Sequence, residues 1–460
     1  MGERITLSGA GLAGALAAVL LARRGFEVTV YERRADMRRQ RMSAGRSINL
    51  ALAARGIVAL QHAGLFEQLE PILVPMPGRM IHDPAGGEVY QPYSRHPHEF
   101  NWSASRAALN MALMDAAEAT GRVKILFEQR VEGYDYAAQA LVVHDGTHND
   151  ETRVAAPVLI ATDGAGSPVR ASMVERFGVA CREEPLGHAY KELNIPAGPG
   201  GGFRIRKDAL HIWPRGGYML IALPNPDGSF TVTLFLPLGN AAKGGDASAT
   251  ASFATLTTPA KLHEFFAREF PDAAQLIPDL EYDFFDNPTG GLATLRCARW
   301  AVGGNTLLLG DAAHAVVPFH GQGMNCAFED VVELDASIGR HSAGGSTDWP
   351  AVFAEVEATR KPNADAIADM AVENYLEMRD LVRDPRFHLT KKVEFLLEGL
   401  HPARFIPRYS MVMFHPEIPY AEAQRRGAIQ SAILAELVCD ITAPEQVDLA
   451  RAERLIRERL

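Results

Sequence analysis

Cysteine is scarce in this chain, with four residues among 460, and Cys181, Cys297, Cys326 and Cys439 stand far apart. No CxxC pair exists, so neither a zinc site nor a disulfide framework is expected, and a reducing compartment fits. Apolar runs are short as well. None approaches the roughly 18 residues that span a bilayer, so no membrane helix is expected. The apolar stretch Ala10–Ala22 opens on a glycine fingerprint and lacks a cleavage context, so it does not read as a secretion signal. Asp448–Leu460 reads as a charged helix rather than an anchor. An excess of positive charge is also missing. Forty-six Lys and Arg face 56 Asp and Glu, a net charge of −10, which argues against a nucleic-acid partner. The expectation is a cytoplasmic protein, monomeric or homodimeric, whose length allows two or three domains.

The glycines that are present are placed to some purpose. Arg4–Ser8 reads as a β-strand. Gly9-Ala10-Gly11-Leu12-Ala13-Gly14 follows directly, then an Ala/Leu-rich helix to about Arg24 and a second strand, Glu27–Tyr31, ending at Glu32. This is GxGxxG between a strand and a helix, followed by an acid after the next strand. Gly9 permits the tight turn, Gly11 lets a pyrophosphate approach the backbone, and Gly14 lets helix and strand pack closely. The helix start offers free N–H groups and a positive dipole end. Glu32 is placed to accept hydrogen bonds from a ribose diol. Alone, the motif leaves NAD and FAD open.

Two further strand ends favour FAD. Val158–Thr162 runs into Asp163-Gly164, and Thr306–Leu309 runs into Gly310-Asp311. Ligands of doubly wound sheets sit at the carboxyl ends of strands, where Asp311 can hold the hydroxyls of a ribityl chain. The segment Val316–Asn325 (VVPFHGQGMN) then leads into a helix over Cys326–Ile338. Its glycines allow backbone to run against a flat ring, and N–H groups at the helix start can stabilise negative charge on a reduced flavin.

GxGxxG, DG and GD in this order resemble the para-hydroxybenzoate-hydroxylase-type flavoprotein monooxygenases, over nearly the whole chain. The resemblance implies FAD and NADPH as cofactors and O2 as co-substrate. It implies that Asp163-Gly164 serves both nucleotides, in keeping with the lack of a second GxGxxG. By resemblance Arg106, in Ser103–Leu109, reaches the pyrophosphate and ribityl region. The FAD-contacting set so implied is Gly9, Gly11, Ala13, Gly14, Glu32, Arg33, Ala51, Arg106, Val131, Asp163, Asp311, Met324 and Asn325.

Other segments narrow the resemblance to the bacterial branch that hydroxylates kynurenine: Gly45–Leu52, Gly78–His82, Gln91–Tyr93, Tyr190–Leu193, His211–Arg215, Ser229–Phe235, Glu373–Met378 and Arg404–Val412. This implies oxygen transfer to L-kynurenine through a C4a-hydroperoxyflavin, giving 3-hydroxykynurenine in tryptophan degradation. The amine of the substrate activates its own ring, so no catalytic acid, base or metal is expected. A substrate carboxylate wants a planar bidentate donor, which Arg79 can be. Tyr93, Asn374 and Tyr409 are expected around the amino-acid head. Phe230, Phe235, Pro318 and Phe319 are candidates to wall the ring, and His320 and Gln322 to reach the ketone or amine.

The expected fold class is α/β. A Rossmann-like FAD-binding domain (1–75, 105–180, 290–370) carries an inserted mixed β-sheet substrate domain (76–104, 181–289) and a helical C-terminal region (371–460). Alternation in His211–Leu223 and Phe230–Leu236 around Asn225-Pro226-Asp227-Gly228 reads as a hairpin. Gly239–Ser248 reads as a mobile surface segment, and Arg33–Ala44, with five arginines, as a solvated loop with contact to a nucleotide phosphate as its other reading. Three rival functions stand beside the main one. A related hydroxylase of a substituted kynurenine or anthranilate-like compound would share these motifs. A flavin halogenase would need Trp-x-Trp, which Trp102, Trp213, Trp300 and Trp349 do not form. A flavin-bound sensor would consume no NADPH.

Overall fold

The structure, a computed structural model, describes residues 3–39, 49–84, 86–239, 251–380 and 385–460. Most of Gly239–Ser248, part of the basic 33–44 loop and the 45–48 half of Gly45–Leu52 lie outside the described residues.

Arg4–Ser8 and Glu27–Tyr31 are strands as expected, joined by the helix Leu12–Arg23. They belong to a six-stranded sheet ordered Ala301–Val302, Thr306–Leu308, Leu159–Ala161, Arg4–Ser8, Glu27–Tyr31, Val123–Leu126. All neighbours are parallel except the first pair. The apolar strands are covered on both faces, as parallel strands are. Register places the site. Ser8 pairs with Tyr31 and with Ala161, and Ala161 pairs with Leu308. The four strands therefore stop level with one another, and the glycine turn, Glu32, Asp163 and Asp311 emerge along one carboxyl edge. Thr162 sutures this edge: its Oγ1 donates to Ser8 O at 3.0 Å and to Gly9 O at 2.9 Å.

A seven-stranded mixed sheet runs Gly290–Cys297, Cys181–Ile195, Phe230–Pro237, Met219–Pro224, Ala209–Pro214, Gly78–His82, Glu88–Pro92. The alternating stretch His211–Leu223 proves to be two strands, because Gly216 and Gly217 take positive φ (63° and 77°) and Arg215 N bonds Tyr218 O. The expected hairpin is the next pair, Met219–Pro224 with Phe230–Pro237. One face of this sheet packs on Phe265, Phe266 and Phe270 from the region of helix Pro259–Glu269. The other meets Phe319 and Tyr375.

Long helices close the molecule, and a buried run of charge binds them to the nucleotide sheet. Asp330, on helix Gly323–His341, is fully buried. It accepts from Gly310 N (3.2 Å), His314 Nε2 (2.6 Å) and Arg360 Nε (2.8 Å). Arg360, on helix Trp349–Asp380, also pairs with Glu329, which pairs in turn with Arg55 at 2.8 Å. Arg55 donates to the carbonyls of Met411, Val412, His415 and Ile418 at the end of helix Arg408–Phe414 and lies 3.9 Å over the Tyr420 ring. It thus satisfies carbonyls that a helix end leaves open. Among the described residues no helix is long and apolar enough to cross a membrane.

Burial alone would raise the pKa of Asp330, but His314 and Arg360 outweigh it and hold the carboxyl below its ordinary value. Asp330→Asn should cost about 3–5 kcal/mol of stability at neutral pH, since it leaves buried cations without their counter-charge. Because the folded value lies below the unfolded one, the wild-type advantage is complete above about pH 4 and is lost as pH falls through that range. Denaturant titrations of both proteins at several pH values check this; a gap unchanged at low pH would contradict it.

Candidate functional site

The nucleotide cradle is built from close approaches. Gly9 has φ +96°, and a Cβ there would stand 2.7 Å from Thr162 O. A Cβ on Gly14 would stand 2.0 Å from Gly9 O, so only glycine lets helix Leu12–Arg23 lie this close to the strand. Gly11 meets nothing within 4 Å, leaving its amide face open. Glu32 is aimed by the backbone: Oε2 accepts from Ala10 N (2.9 Å) and Oε1 from Arg34 N (3.0 Å). Arg33 is exposed beside it. Beyond, a cavity of about 410 Å³ is lined by Asp36, Arg38, Phe127 and Glu128 among others. Arg38 does not wave in solvent there. It bonds Asp36, Asp115 and Glu118, which uses one of the five loop arginines to tie the loop down.

Asp163 is half-buried. Its Oδ2 accepts from Ser8 Oγ at 3.0 Å, while Oδ1 has no partner among the described residues. Burial pushes its pKa up to about 6, against the pull of Ser167 and Ser8. A buried acceptor without a donor is costly, so this oxygen awaits a hydroxyl or N–H from a ligand. Asp311 is exposed at the end of the neighbouring strand. Arg170 joins the two acidic loops, donating to Ala312 O (2.9 Å) and to Ala165 O. Arg170 was absent from the expectations. Arg106 heads helix Arg106–Ala119, exposed and close to Tyr190, whose phenol burial pushes up while Arg106 offsets part of the rise. These residues fit FAD: an open amide face, a ribose acceptor, an orphaned carboxylate oxygen and a free strand-end acid share one edge.

Several cofactor candidates are placed to act through backbone alone. Asn325 is buried, and its side chain is spent on Ala51 O, Gly321 O and Ala53 N, at 2.9, 2.9 and 3.0 Å. Met324 packs into the core, so what helix Gly323–His341 can offer a flavin is its first N–H groups. Ala51 lies against the turn at Gly321, where a Cβ would come within 3.1 Å of it. Ala13 lines the Gly310 turn from the other side. Val131 is buried in the apolar core, on a strand paired through Val143, so its backbone is what it can offer a ligand.

A second cluster adjoins the first. The Arg79 guanidinium lies 5.3 Å over the Tyr93 ring and 5.4 Å over Tyr409. The two phenols stack 5.8 Å apart, and His320 stacks on Tyr409 at 5.5 Å. Asn101, absent from the expectations, lies beside both phenols. Arg79 Nε, His320 Nδ1 and Asn101 Oδ1 are buried with no partner among the described residues. Burial, then Arg408, Arg79 and Arg55, lowers the His320 pKa to about 3, so the ring is neutral. Lys391, on helix Pro385–Leu400, also faces Arg79 and is ion-paired to Glu394 (3.1 Å). No local motif marks Asn101 or Lys391; only tertiary folding brings them here.

Phe319 stacks on Tyr375 (4.2 Å) and meets Phe235 (5.2 Å), which makes an aromatic wall. Asn374 Nδ2 donates to Phe319 O at 2.7 Å and so anchors the wall. The ring-wall expectation for Phe230 fails here. Phe230 lies five residues before Phe235, and the period-2 alternation of a strand turns it into the opposite core. Pro318 is exposed. Gln322 is fully buried, accepts from Tyr420 O–H at 2.7 Å and contacts Met413 Sδ at 3.0 Å. It points into the helical region and away from the box. His314, Cys326 and Asp330 stand close enough to share a metal ion, but the Arg360 guanidinium already supplies the cation there.

Comparison with known proteins agrees with this geometry. A family profile described as FAD binding domain matches residues 5–184 and 259–371. A protein of Myxococcus xanthus named kynurenine 3-monooxygenase is 51% identical over 458 residues, covering 100% of this chain and 96% of that protein. One of Xanthomonas oryzae with the same name is 47% identical, covering 99% and 97%. The chain belongs to the kynurenine 3-monooxygenase family. Among solved structures, a tetrameric 2-methyl-3-hydroxypyridine-5-carboxylic acid oxygenase aligns with TM-score 0.64 at 19% identity over 84% of this chain and 94% of that one. A p-nitrophenol 4-monooxygenase of Pseudomonas putida aligns with TM-score 0.63 at 18% identity over 86% and 94%. At such identity they speak for the fold, an FAD-binding α/β architecture shared across the family's wider relatives.

For a member of this family, closing the glycine approach should empty the flavin site. Gly14→Ala places a methyl 2.0 Å from Gly9 O. The variant should purify colourless or lose flavin on dilution, with affinity down by at least about 10-fold, equivalent to about 1.4 kcal/mol. Flavin absorbance per mole of protein measures this; full occupancy would sink the assignment of Gly9–Gly14 as the cradle.

Proposed function

We propose that this chain hydroxylates L-kynurenine to 3-hydroxykynurenine as an FAD-dependent monooxygenase that consumes NADPH and O2. One observation carries the assignment of the substrate site. A half-buried arginine, Arg79, has a buried, unpartnered Nε and no carboxylate at ion-pair distance among the described residues, inside an aromatic box beside the nucleotide edge. A guanidinium so placed calls for a planar anion, and the amino-acid head of kynurenine provides one. Tyr93, Asn101 and Tyr409 surround that head. Phe235 and Phe319 flank its ring, and Asn374 holds the Phe319 loop. Neutral His320 has Nδ1 to offer the ketone or amine.

Bound FAD supplies the redox chemistry, taking electrons from NADPH and activating O2. Gly9, Gly11 and Gly14 hold its pyrophosphate at the start of helix Leu12–Arg23, with Arg33 and Arg106 as flanking cations. Glu32 takes the ribose, Asp163 and Asp311 the polar groups nearer the flavin, and the N–H groups at Met324 and Asn325 face the ring system. The protein's share is positioning and exclusion of water. The kynurenine arylamine activates its own ortho carbon, so no side chain is needed as strong base or nucleophile. Residues 1–75, 105–180 and 290–370 form the FAD unit in this reading, 76–104 and 181–289 the substrate sheet, and 371–460 the helical cover. The enzyme acts in the cytoplasm as a monomer or homodimer without nucleic-acid or membrane partners.

The direct test is NADPH consumption with L-kynurenine, with the product identified by mass spectrometry; no NADPH use and no added oxygen would refute the reading. Arg79→Ala should raise KM for kynurenine about 10- to 100-fold, the loss of a charge-assisted contact of about 1.5–3 kcal/mol, while flavin occupancy is unchanged. Lost FAD with intact kynurenine affinity would move the carboxylate site elsewhere.

A further inference from the structure

Cys181 and Cys297 are 116 residues apart in sequence, yet their Sγ atoms lie 3.1 Å apart. Cys181 opens strand Cys181–Ile195, Cys297 ends strand Gly290–Cys297, and the two are directly opposite in an antiparallel ladder. The adjacent pair carries the hydrogen bond from Ala298 N to Ala180 O. The cysteines therefore occupy a non-hydrogen-bonded position, where Cα atoms stand about 4.5 Å apart and side chains face each other. That separation lies within the span of a disulfide. Both thiols are free; Cys297 is buried and Cys181 is half-buried. They sit where the chain crosses between its two large sheets, just after helix Pro168–Phe177 and just before Ala301–Val302. Arg170 and Lys361 are the cations whose charge reaches Cys297.

We propose that Cys181 and Cys297 are a modification site, a dithiol that hydrogen peroxide oxidises to an intramolecular disulfide. Peroxide is what a flavin oxygenase releases when O2 is reduced without hydroxylation, so its local source rests on the function proposed above. The half-exposed Cys181 is reached first. Its sulfur attacks one peroxide oxygen, the O–O bond breaks, and Cys181 becomes a sulfenic acid as one water leaves. The Cys297 sulfur then attacks the Cys181 sulfur, the S–O bond breaks, and a second water leaves with the thiol proton. Two thiols lose two electrons in all, and peroxide is reduced to two waters. Burial, then Cys181, keeps the Cys297 thiol protonated well above the usual range, which makes it the resolving partner rather than the first nucleophile. The new bond staples the two crossings between the sheets.

The test uses the full-length holoenzyme carrying Cys439→Ser, which removes the exposed thiol. Peroxide is added directly, without NADPH or kynurenine, so the outcome is independent of turnover and of the proposed activity. Thiols titrated after unfolding should fall from three to one, because four cysteines less Cys439 leave three. A peptide pair joining Cys181 to Cys297 should appear, two hydrogens lighter than the reduced pair and restored by dithiothreitol. With Cys181→Ser added, no cross-link should form. Three titratable thiols after peroxide treatment that oxidises free glutathione would overturn the proposal. So would sulfinic acid at Cys181 with Cys297 still open to alkylation, or linkage only between molecules.

Discussion

The buried carboxylate of Asp330 is the constraint on which the site's geometry depends. A charge without solvent is tolerated only if its neighbours supply donors and counter-charge, and here the donors come from two separate pieces of chain: the turn with Gly310 N and His314, and the helix with Arg360. Satisfying Asp330 fixes the turn that presents Asp311 against helix Gly323–His341. It also draws helix Trp349–Asp380 onto the same point. Through Glu329 the charge passes to Arg55, whose donors hold the carbonyls at the end of helix Arg408–Phe414. Tyr409 rides on that short helix. One network therefore sets both the strand-end acid Asp311 and the Tyr409 phenol of the aromatic box.

The segment 317–325 converts this rigidity into a relation between the two ligands. Phe319 and His320 belong to the aromatic box, Gln322 is driven into the helical core, and the backbone from Gly323 onward faces the nucleotide edge. So abrupt a change of direction needs the left-handed Gly321, φ +65°, after the turn Pro318–His320. Asn325 grips Gly321 O and Ala51 O from below, and Asn374 grips Phe319 O from the side. The separation between the nucleotide edge and the aromatic box is thus set by one segment whose carbonyls are held by Asn325 and Asn374.

The cradle was legible because its physics is local. A glycine turn, a strand and an acid occupy fixed short spacings, and a parallel register brings such segments to one edge whatever lies between them. The FAD-binding family followed from motif order. Side-chain direction was less legible. Phe230 and Phe235 read alike until strand parity separates them, and Gln322 reads as a site residue until the left-handed turn sends it inward. Val131 sits on a strand whose neighbours are fixed only by pairing. Arg55, Arg360, Asn101 and Lys391 carry no motif, because a buried ion pair is a relation between distant segments. For the same reason four scattered cysteines concealed a facing pair: sequence separation says nothing about register across an antiparallel ladder.

The electrostatics of the aromatic box argue for selection by charge before selection by ring. Arg79, Arg408 and Arg55 all act on His320, and with burial they hold it neutral down to about pH 3. A histidine that stays uncharged adds no further positive charge to a pocket already rich in it. It leaves one lone pair or N–H for a neutral ketone or amine. Arg79 meanwhile keeps its Nε unspent among aromatic faces, where cation–π contact offsets part of the cost of burial without competing for the donors. Lys391 adds a cation near the same point, but Glu394 and Glu377 largely claim it. The balance leaves one guanidinium available for one carboxylate, so an aromatic amine lacking the amino-acid head would fill the walls and leave Arg79 buried and unpaired. That penalty discriminates more strongly than the loss of apolar contact area, since a site built for a polar group rejects the analogue that lacks it.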